Sequence, residues 1–316
     1  FPCNSGGEFR KWYGNNLTVV NWENDGHSIR HFSDQNGRLK ASPRSSDKYF
    51  SKGVTWSKIG SGKFSARYFP DGYIFDDTGQ SIFPKSLNAI ELAAILCSKP
   101  TQSFLSLISQ TLSFNKGDIA RIPTITDIPD YIYKNTQRLI NISMYDWSLL
   151  EEGFDFKENA LIKENEKSIP ESYLKNKIIS SSLVEESRTL EEENNLFFIK
   201  KLNLEHEINE SVAINEISLD INPTFKFGSA ANDTKPKCSE ALNLLSYSIG
   251  CIMGRYSLDR EGLVHAHSGN DGFKELVAEG AYNTFPADDD GIVPLADQEW
   301  LFEDDATVRF REFIKT

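Results

Sequence analysis

The stretch Gly53–Pro84, GVTWSKIGSGKFSARYFPDGYIFDDTGQSIFP, decides the fold class. From Lys63 to Phe69 the side chains alternate. Phe64, Ala66 and Tyr68 fall on one face and Lys63, Ser65 and Arg67 on the other, the period of two that marks a β-strand. Pro70-Asp71-Gly72 follows as a turn signal, because Pro presets φ and Gly accepts a positive φ. This predicts that Tyr73–Phe75 returns as the partner strand, with a second turn at Asp76–Gly79 and a third short strand at Ser81–Phe83. The stretch is also cationic and aromatic before its first acid, Asp71: Trp56, Lys58, Lys63, Arg67 and Tyr68 precede it.

Working outward, Asn16–Trp22 reads as a strand, and Gly26 and Asn36-Gly37 mark turns. After Pro84 the period lengthens. Leu87, Ile90, Ala94 and Cys97 form one helical stripe, with Asn88 and Glu91 spaced as a capping box and Pro100 as the stop. A second helix is expected over Ser103–Gln110, then TLSFNKGDIARIP as loop, short strand and stop. Residues 126–215 are rich in Glu and Asn with intermittent apolar pairs, and read as solvated helices of a spacer. Ile217–Phe227 reads as β-like. Ser239–Arg255 is the strongest helix, with Ser239 as N-cap and Leu242, Leu245, Ile249 and Ile252 as its apolar stripe. Gly250 and Gly254 there admit a closely packed neighbour. The fold class is mixed α+β: a β-rich domain with helices over 1–125, a helical spacer over 126–215 and a smaller α+β domain over 216–316.

The chain's 316 residues carry a formal net charge of −12, unevenly placed. Residues 1–125 hold 15 Lys+Arg against 10 Asp+Glu, a net of +5, which leaves −17 for 126–316. A basic front and an acidic rear point to separate tasks. The four cysteines are scattered outside any C-x-x-C pair, which argues for a reducing, cytoplasmic setting. No apolar run is long enough for a membrane span, so no membrane partner is expected. The chain starts without Met or a signal pattern and reads as an excised piece of a longer protein.

Chemical motifs are few. IGSGKFS at Ile59–Ser65 resembles a phosphate loop but has Ser57 where the first Gly belongs and Phe64 where Ser or Thr must follow Lys. It fails as a dinucleotide fingerprint because Ser65 replaces the third Gly. His27 and His31 lack a third ligand, His265, His267 and Asp271 form a still weaker set, and Asp288–Gly291 lacks the spacing of a calcium loop. No metal, catalytic or cofactor-binding residue is assigned. What remains is a basic and aromatic set: Arg10 and Lys11 beside Trp12 and Tyr13, then Trp56, Lys58, Lys63, Ser65 and Arg67. Trp12 and Trp56 read first as core. Lys and Arg reward duplex DNA through phosphate neutralisation, and Arg can read guanine edges. The expected partner is therefore double-stranded DNA, contacted by Arg10, Lys11, Lys58, Lys63, Ser65 and Arg67.

Several blocks resemble one family in order along the chain: RKWYGNN at Arg10–Asn16, VVNWENDG at Val19–Gly26, GVTWSKIGSGKFSARY at Gly53–Tyr68, GDIARIP at Gly117–Pro123, SIGCIMGRYSLDREGL at Ser248–Leu263 and DDDGIVPLAD at Asp288–Asp297. They resemble the PglX family, adenine-specific DNA methyltransferases of BREX phage-defence systems. The resemblance implies that 1–125 is a target-recognition domain and that the parent enzyme uses S-adenosylmethionine. It also implies a catalytic domain with a Gly-rich cofactor loop and an N-P-P-Y type tetrapeptide that holds a flipped adenine. No two of the twelve prolines here are adjacent, so the tetrapeptide is absent and no catalytic or cofactor residue carries over. The expected role is DNA recognition for a methyl-transfer domain outside this chain. Two other readings stay open: a protein-interaction module docking further BREX components, motivated by the acidic rear, and part of a bifunctional restriction-modification enzyme.

Overall fold

A computed structural model describes the chain except for residues 61, 110–112, 165, 229–231, 266–271 and 297–303. His267 and Asp271 therefore lie outside the described residues. In chain order the elements are β1 (Pro2–Asn4), β2 (Thr18–Val19), α1 (Glu23–Arg30), β3 (Gly53–Ser57), β4 (Ala66–Phe69), β5 (Ile74–Phe75), β6 (Gly79–Ile82), α2 (Ala89–Cys97), α3 (Lys99–Ile108), α4 (Lys116–Ile119) and α5 (Asp130–Ser148). They continue with α6 (Ala160–Lys163), α7 (Ile169–Lys201), α8 (Pro223–Phe227), α9 (Thr234–Ile252), α10 (Phe273–Ala278) and α11 (Ala306–Lys315). The class is mixed α+β. Two compact units divide the chain: Phe1–Trp147 with Ser180–Ser229, and Ser148–Ile179 with Ala230–Thr316. The expected segments 1–125, 126–215 and 216–316 are thus shared out between them, and α7 contributes to both.

In the first unit β3 is the centre of one sheet, of order β4-β3-β6, with both neighbours antiparallel. Val54, Trp56 and Ala66 turn one face of it onto α2, whose Ala89, Ala93, Ala94 and Cys97 are buried in the same cluster. Leu105 of α3, Ile132, Leu139 and Ile140 of α5, and Phe198 of α7 complete that core. The Glu- and Asn-rich stretch after residue 126 thus supplies much of the apolar packing beneath the sheet. Helix α2 begins as its sequence predicts. Asn88 Oδ1 accepts from the amides of Ile90 and Glu91, and Glu91 Oε2 accepts from Asn88 N at 2.9 Å.

Several local expectations are corrected. Pro70-Asp71-Gly72 does turn the chain, but β5 does not pair with β4. It runs parallel to β1 in a second sheet of order β2-β1-β5. The antiparallel partner of β4 is β3, with Thr55 opposite Arg67. Asn16–Trp22 keeps only the two strand residues of β2. Pro100 does not end α2: it sits in the first turn of α3, where a missing N–H costs nothing. The stretch Asn115–Asp118 is a capped helical turn, not a strand, with Asp118 reaching back to Asn115 N at 3.3 Å. Ile217–Phe227 contains no strand. Asn222 donates to the carbonyls of Ile214 and Ile217 and caps α8 at Thr224 N, with Pro223 in its first turn.

The second unit is helical among its described residues. Its main core joins Phe156, Leu161, Leu244, Tyr247, Cys251, Ile252, Tyr256, Phe285 and Phe313. Helix α9 is present but starts at Thr234, so Ser239 is not its N-cap. Its inward face is Leu244, Tyr247, Ser248, Cys251 and Ile252, while Leu242, Leu245 and Ile249 of the expected stripe are exposed. Gly250 does receive a close neighbour: the Tyr256 ring lies where its Cβ would stand, and that ring stacks on Tyr247 at 5.3 Å. Among the described residues no helix is long and apolar enough to cross a membrane, and no group of three or more His, Cys, Asp and Glu could hold a metal.

Candidate nucleic-acid interface

The six expected DNA-contacting residues separate into an interior set and a loop set. Arg10, Lys11, Ser65 and Arg67 are buried, with 4%, 8%, 6% and 1% of their surface exposed. The alternation of β4 does place Arg67 opposite Ala66 and Tyr68. That second face, however, is closed: Arg67 is 1% exposed and reaches Ser57 Oγ and Arg10 O, and the segment carrying Arg10–Tyr13 pairs along the edge of β4, where Trp12 N donates to Ala66 O at 3.0 Å and Tyr68 N to Trp12 O at 2.8 Å. The reading of Lys63, Ser65 and Arg67 as one open strand face is corrected accordingly. Its missing ingredient was a backbone neighbour more than fifty positions away.

The interior cations have specific acceptors. Arg10 donates through Nη1 to Asp220 Oδ2 at 2.8 Å, through Nη2 to Asp146 Oδ2, and through Nε to Tyr13 O at 2.7 Å, and its guanidinium lies 4.9 Å over the Trp147 ring. Asp146 also accepts from the amides of Asp220 and Ile221. Lys11 Nζ donates to Glu191 Oε2 at 2.6 Å, and the other oxygen of that carboxylate accepts from Trp12 Nε1 at 2.7 Å. One buried Glu on α7 thereby fixes two consecutive residues. Burial lowers the Lys11 pKa, but the Glu191 charge and hydrogen bond outweigh it and raise the pKa. Ser65 Oγ accepts from Arg10 N at 3.2 Å.

Arg67 has no such partner. Its Nη2 reaches Ser57 Oγ at 3.3 Å, its Nη1 is 3.5 Å from Arg10 O, and its Nε has no acceptor among the described residues. Burial first, then the neighbouring Arg10 charge, push its pKa down to about 10.

Lys58 and Lys63 keep access to solvent. Both belong to the β3–β4 loop, where Ile59 is also 67% exposed. Lys58 Nζ donates to Asp77 Oδ2 at 2.5 Å, and Lys63 Nζ to Glu216 Oε1 at 2.6 Å. Residues that local sequence did not single out stand nearby. Arg44 and Lys116 line a cleft of about 660 Å³ together with Asp77, Trp22 and Tyr49. Lys99 and Gln102 line another of about 500 Å³ with Lys63 and Glu216. No periodicity or motif marks Lys99 or Glu216, because the fold alone brings them to the loop.

His27 and His31 stack at 4.2 Å, and His31 Nδ1 lies 2.8 Å from His27 O, beyond a left-handed turn at Asn24–Gly26. They form no metal set. The glycine-containing β3–β4 loop does not have the form of an S-adenosylmethionine loop. The glycine turn of the β3–β4 loop leads through Phe64 into a strand, so it does not open a helix whose amides could hold the cofactor.

These surfaces belong to a chain whose relatives are adenine-specific methyltransferases. Over its whole length it is 40% identical to a protein named adenine-specific methyltransferase BrxX from Escherichia coli O9:H4 (strain HS), and 32% identical to adenine-specific methyltransferase PglX from Lacticaseibacillus casei (strain Zhang). The resemblance read from the ordered sequence blocks thus extends along the entire chain. The chain spans 26% and 25% of the length of these two relatives, so it corresponds to about a quarter of such a protein. No protein-family profile matches it.

Proposed function

We propose that the first unit positions duplex DNA for an adenine-specific DNA methyltransferase of a phage-defence system, with S-adenosylmethionine bound and the methyl group transferred by residues outside this chain. The observation that carries the reading is the β3–β4 loop. It is the part of the expected basic set that remains in solvent: Lys63 lines one cleft with Lys99, and Lys58 is held by Asp77, which lines another with Arg44 and Lys116. Flexible ammonium groups on such a loop suit phosphate contacts, which set register and carry no sequence information by themselves. The buried Arg10, Lys11, Ser65 and Arg67 act in this reading as the frame that holds the loop, not as direct contacts. The duplex would be held so that one adenine is extruded into the catalytic domain. A DNA substrate of this kind places the protein in the cytoplasm. The test is DNA affinity across salt concentrations with the full-length protein. Lys58→Gln and Lys63→Gln are each expected to weaken binding to all duplexes alike and to reduce the salt slope by about 1. Unchanged affinity and slope in both would overturn the reading.

One observation favours a second reading, in which the second unit docks another protein of the same defence system. Leu242, Leu245, Ile249 and Met253 are 65%, 37%, 38% and 43% exposed along one side of α9. An apolar helix side of this kind suits a protein surface better than an anionic duplex. Loss of partner co-purification in Leu242→Asp, with DNA binding intact, is the outcome expected of this reading.

A further inference from the structure

We infer that Glu216 is a built-in competitor for DNA: in the free protein its carboxylate holds the Lys63 ammonium at the place where a backbone phosphate of the duplex takes it over. The inference deepens the DNA reading above and rests on it.

Four observations point this way. First, the pair is short and solvent-accessible. Lys63 Nζ and Glu216 Oε1 are 2.6 Å apart, with the two side chains 60% and 33% exposed, so an incoming anion can reach both. Second, the pair lies at a cleft of mixed charge. Lys63 and Lys99 line it with Glu207 and Glu216, together with the neutral donors Gln102, Ser103 and Ser106. Third, the lysines are used unequally. Lys11 is committed to the buried Glu191, whereas among the described residues the acceptors of Lys99 Nζ are neutral, Asn209 Oδ1 at 3.3 Å and the Ser211 carbonyl. An anion entering here meets one cation held by a replaceable carboxylate and another held by neutral groups. Fourth, the loop beside Lys63 is open to an incoming ligand: Gly62 has φ +103°, and among the described residues no atom beyond its chain neighbours lies within 4 Å of the place a Cβ would take.

The electrostatics agree. Burial alone would raise the Glu216 pKa, yet the Lys63 hydrogen bond and the charges of Lys63, Lys11 and Lys99 bring it below the ordinary 4.5. The carboxylate is thus ionised at neutral pH and sits in a positive field. Exchanging one exposed ion pair for another costs little. The protein nevertheless gives up its own pair whenever Lys63 turns to DNA, and Glu216 then stands unpaired beside a phosphate. The arrangement lowers affinity for every duplex by the same factor.

The experiment measures affinity of the full-length protein for a 30-base-pair duplex at several salt concentrations, with Glu216→Gln, Lys63→Gln and the double variant. Glu216→Gln keeps the side-chain shape, and its thermal midpoint is recorded beside wild type. Removing the competitor is expected to tighten binding about 3- to 5-fold, the strength of one exposed pair. The slope of log K against log salt is expected to stay that of wild type, because Lys63 neutralises one phosphate in either protein. The gain in affinity should vanish in the Lys63→Gln background. If Glu216→Gln binds as wild type, or more weakly, while Lys63→Gln is impaired, Glu216 is not a competitor and the DNA reading survives. If Lys58→Gln and Lys63→Gln both bind as wild type, the DNA reading fails and this inference fails with it.

Discussion

Arg10 and Asp146 stand 136 positions apart in the chain and form an ion pair closed to solvent, with side-chain exposures of 5% and 0%. The pair ties the N-terminal segment that lies on β4 to the C-terminal turn of α5. Asp220 adds a second carboxylate to the same guanidinium. A cation that the sequence offers to DNA is therefore spent on holding three distant segments of the first unit together.

Removing one member of this pair leaves the other buried without a counter-charge. Arg10→Met is expected to destabilise the first unit by about 3–5 kcal/mol. Asp146→Leu combined with it should recover part of that loss, because neither charge then remains unpaired. Urea unfolding followed by tryptophan fluorescence checks this, since Trp12, Trp22, Trp56 and Trp147 are all buried in the first unit. A fall in midpoint of the single variant within ordinary surface scatter would show that the pair contributes little.

Arg67 makes the opposite case. It is 1% exposed, and among the described residues no carboxylate pairs with it. Its charge is carried at a cost while the group is protonated. Arg67→Met is therefore expected to leave stability within about 1 kcal/mol of wild type or to raise it. The sign with pH follows from a folded pKa of about 10 against an ordinary 12.5. The penalty is present below pH 10, and wild-type stability gains as pH rises from 10 toward 12.5, because only the unfolded chain still binds the proton there. The variant lacks that term, so the difference between the two unfolding midpoints should shift in favour of wild type over that range.

What could be read in advance follows from how far apart the determining atoms lie. The start of α2 was legible because Asn88 and Glu91 are three residues apart and satisfy each other's backbone. The alternation in β4 was legible too, but not the burial of Arg67, since Trp12 and Arg10 reach it only through the fold. The Pro-Asp-Gly signal specifies a turn but not a hairpin, because β1 competes for β5. The Asn115–Asp118 cap is a local signal, since its two side chains are three residues apart. At the candidate site, Lys58 and Lys63 were legible as cations, whereas the acceptors that decide their state, Asp77 and Glu216, lie 19 and 153 positions away.

The α2 cap gives a stability prediction free of any functional assumption. Asn88→Ala removes the acceptor for two amides and is expected to cost about 1 kcal/mol. Asn88→Ser should cost less, because a hydroxyl can take the same role. Glu91→Ala added to Asn88→Ala should cost less than it does alone, since the two side chains act as one box. Urea midpoints of the four variants decide it, and strict additivity would argue against a reciprocal cap.

The phase of α9 offers the sharpest check on the second unit. Sequence alone favours Leu242, Leu245, Ile249 and Ile252 as the inward stripe, all branched aliphatics at helical spacing. The structure rotates the helix so that Leu244, Tyr247, Ser248 and Cys251 join Ile252 inside, because the Tyr256 ring must settle on Gly250 and stack on Tyr247. Two leucines two positions apart then have opposite environments, Leu244 at 4% exposure and Leu242 at 65%. Leu244→Ala is expected to cost about 2–5 kcal/mol as a core deletion. Leu242→Ala should stay within about 0.5 kcal/mol as a surface change. Gly250→Ala should destabilise by driving a methyl into the Tyr256 ring, although alanine is the better helix former. Hydrogen exchange over α9 in the three variants separates the two phases: protection lost in Leu242→Ala and kept in Leu244→Ala would mean that the helix faces the other way.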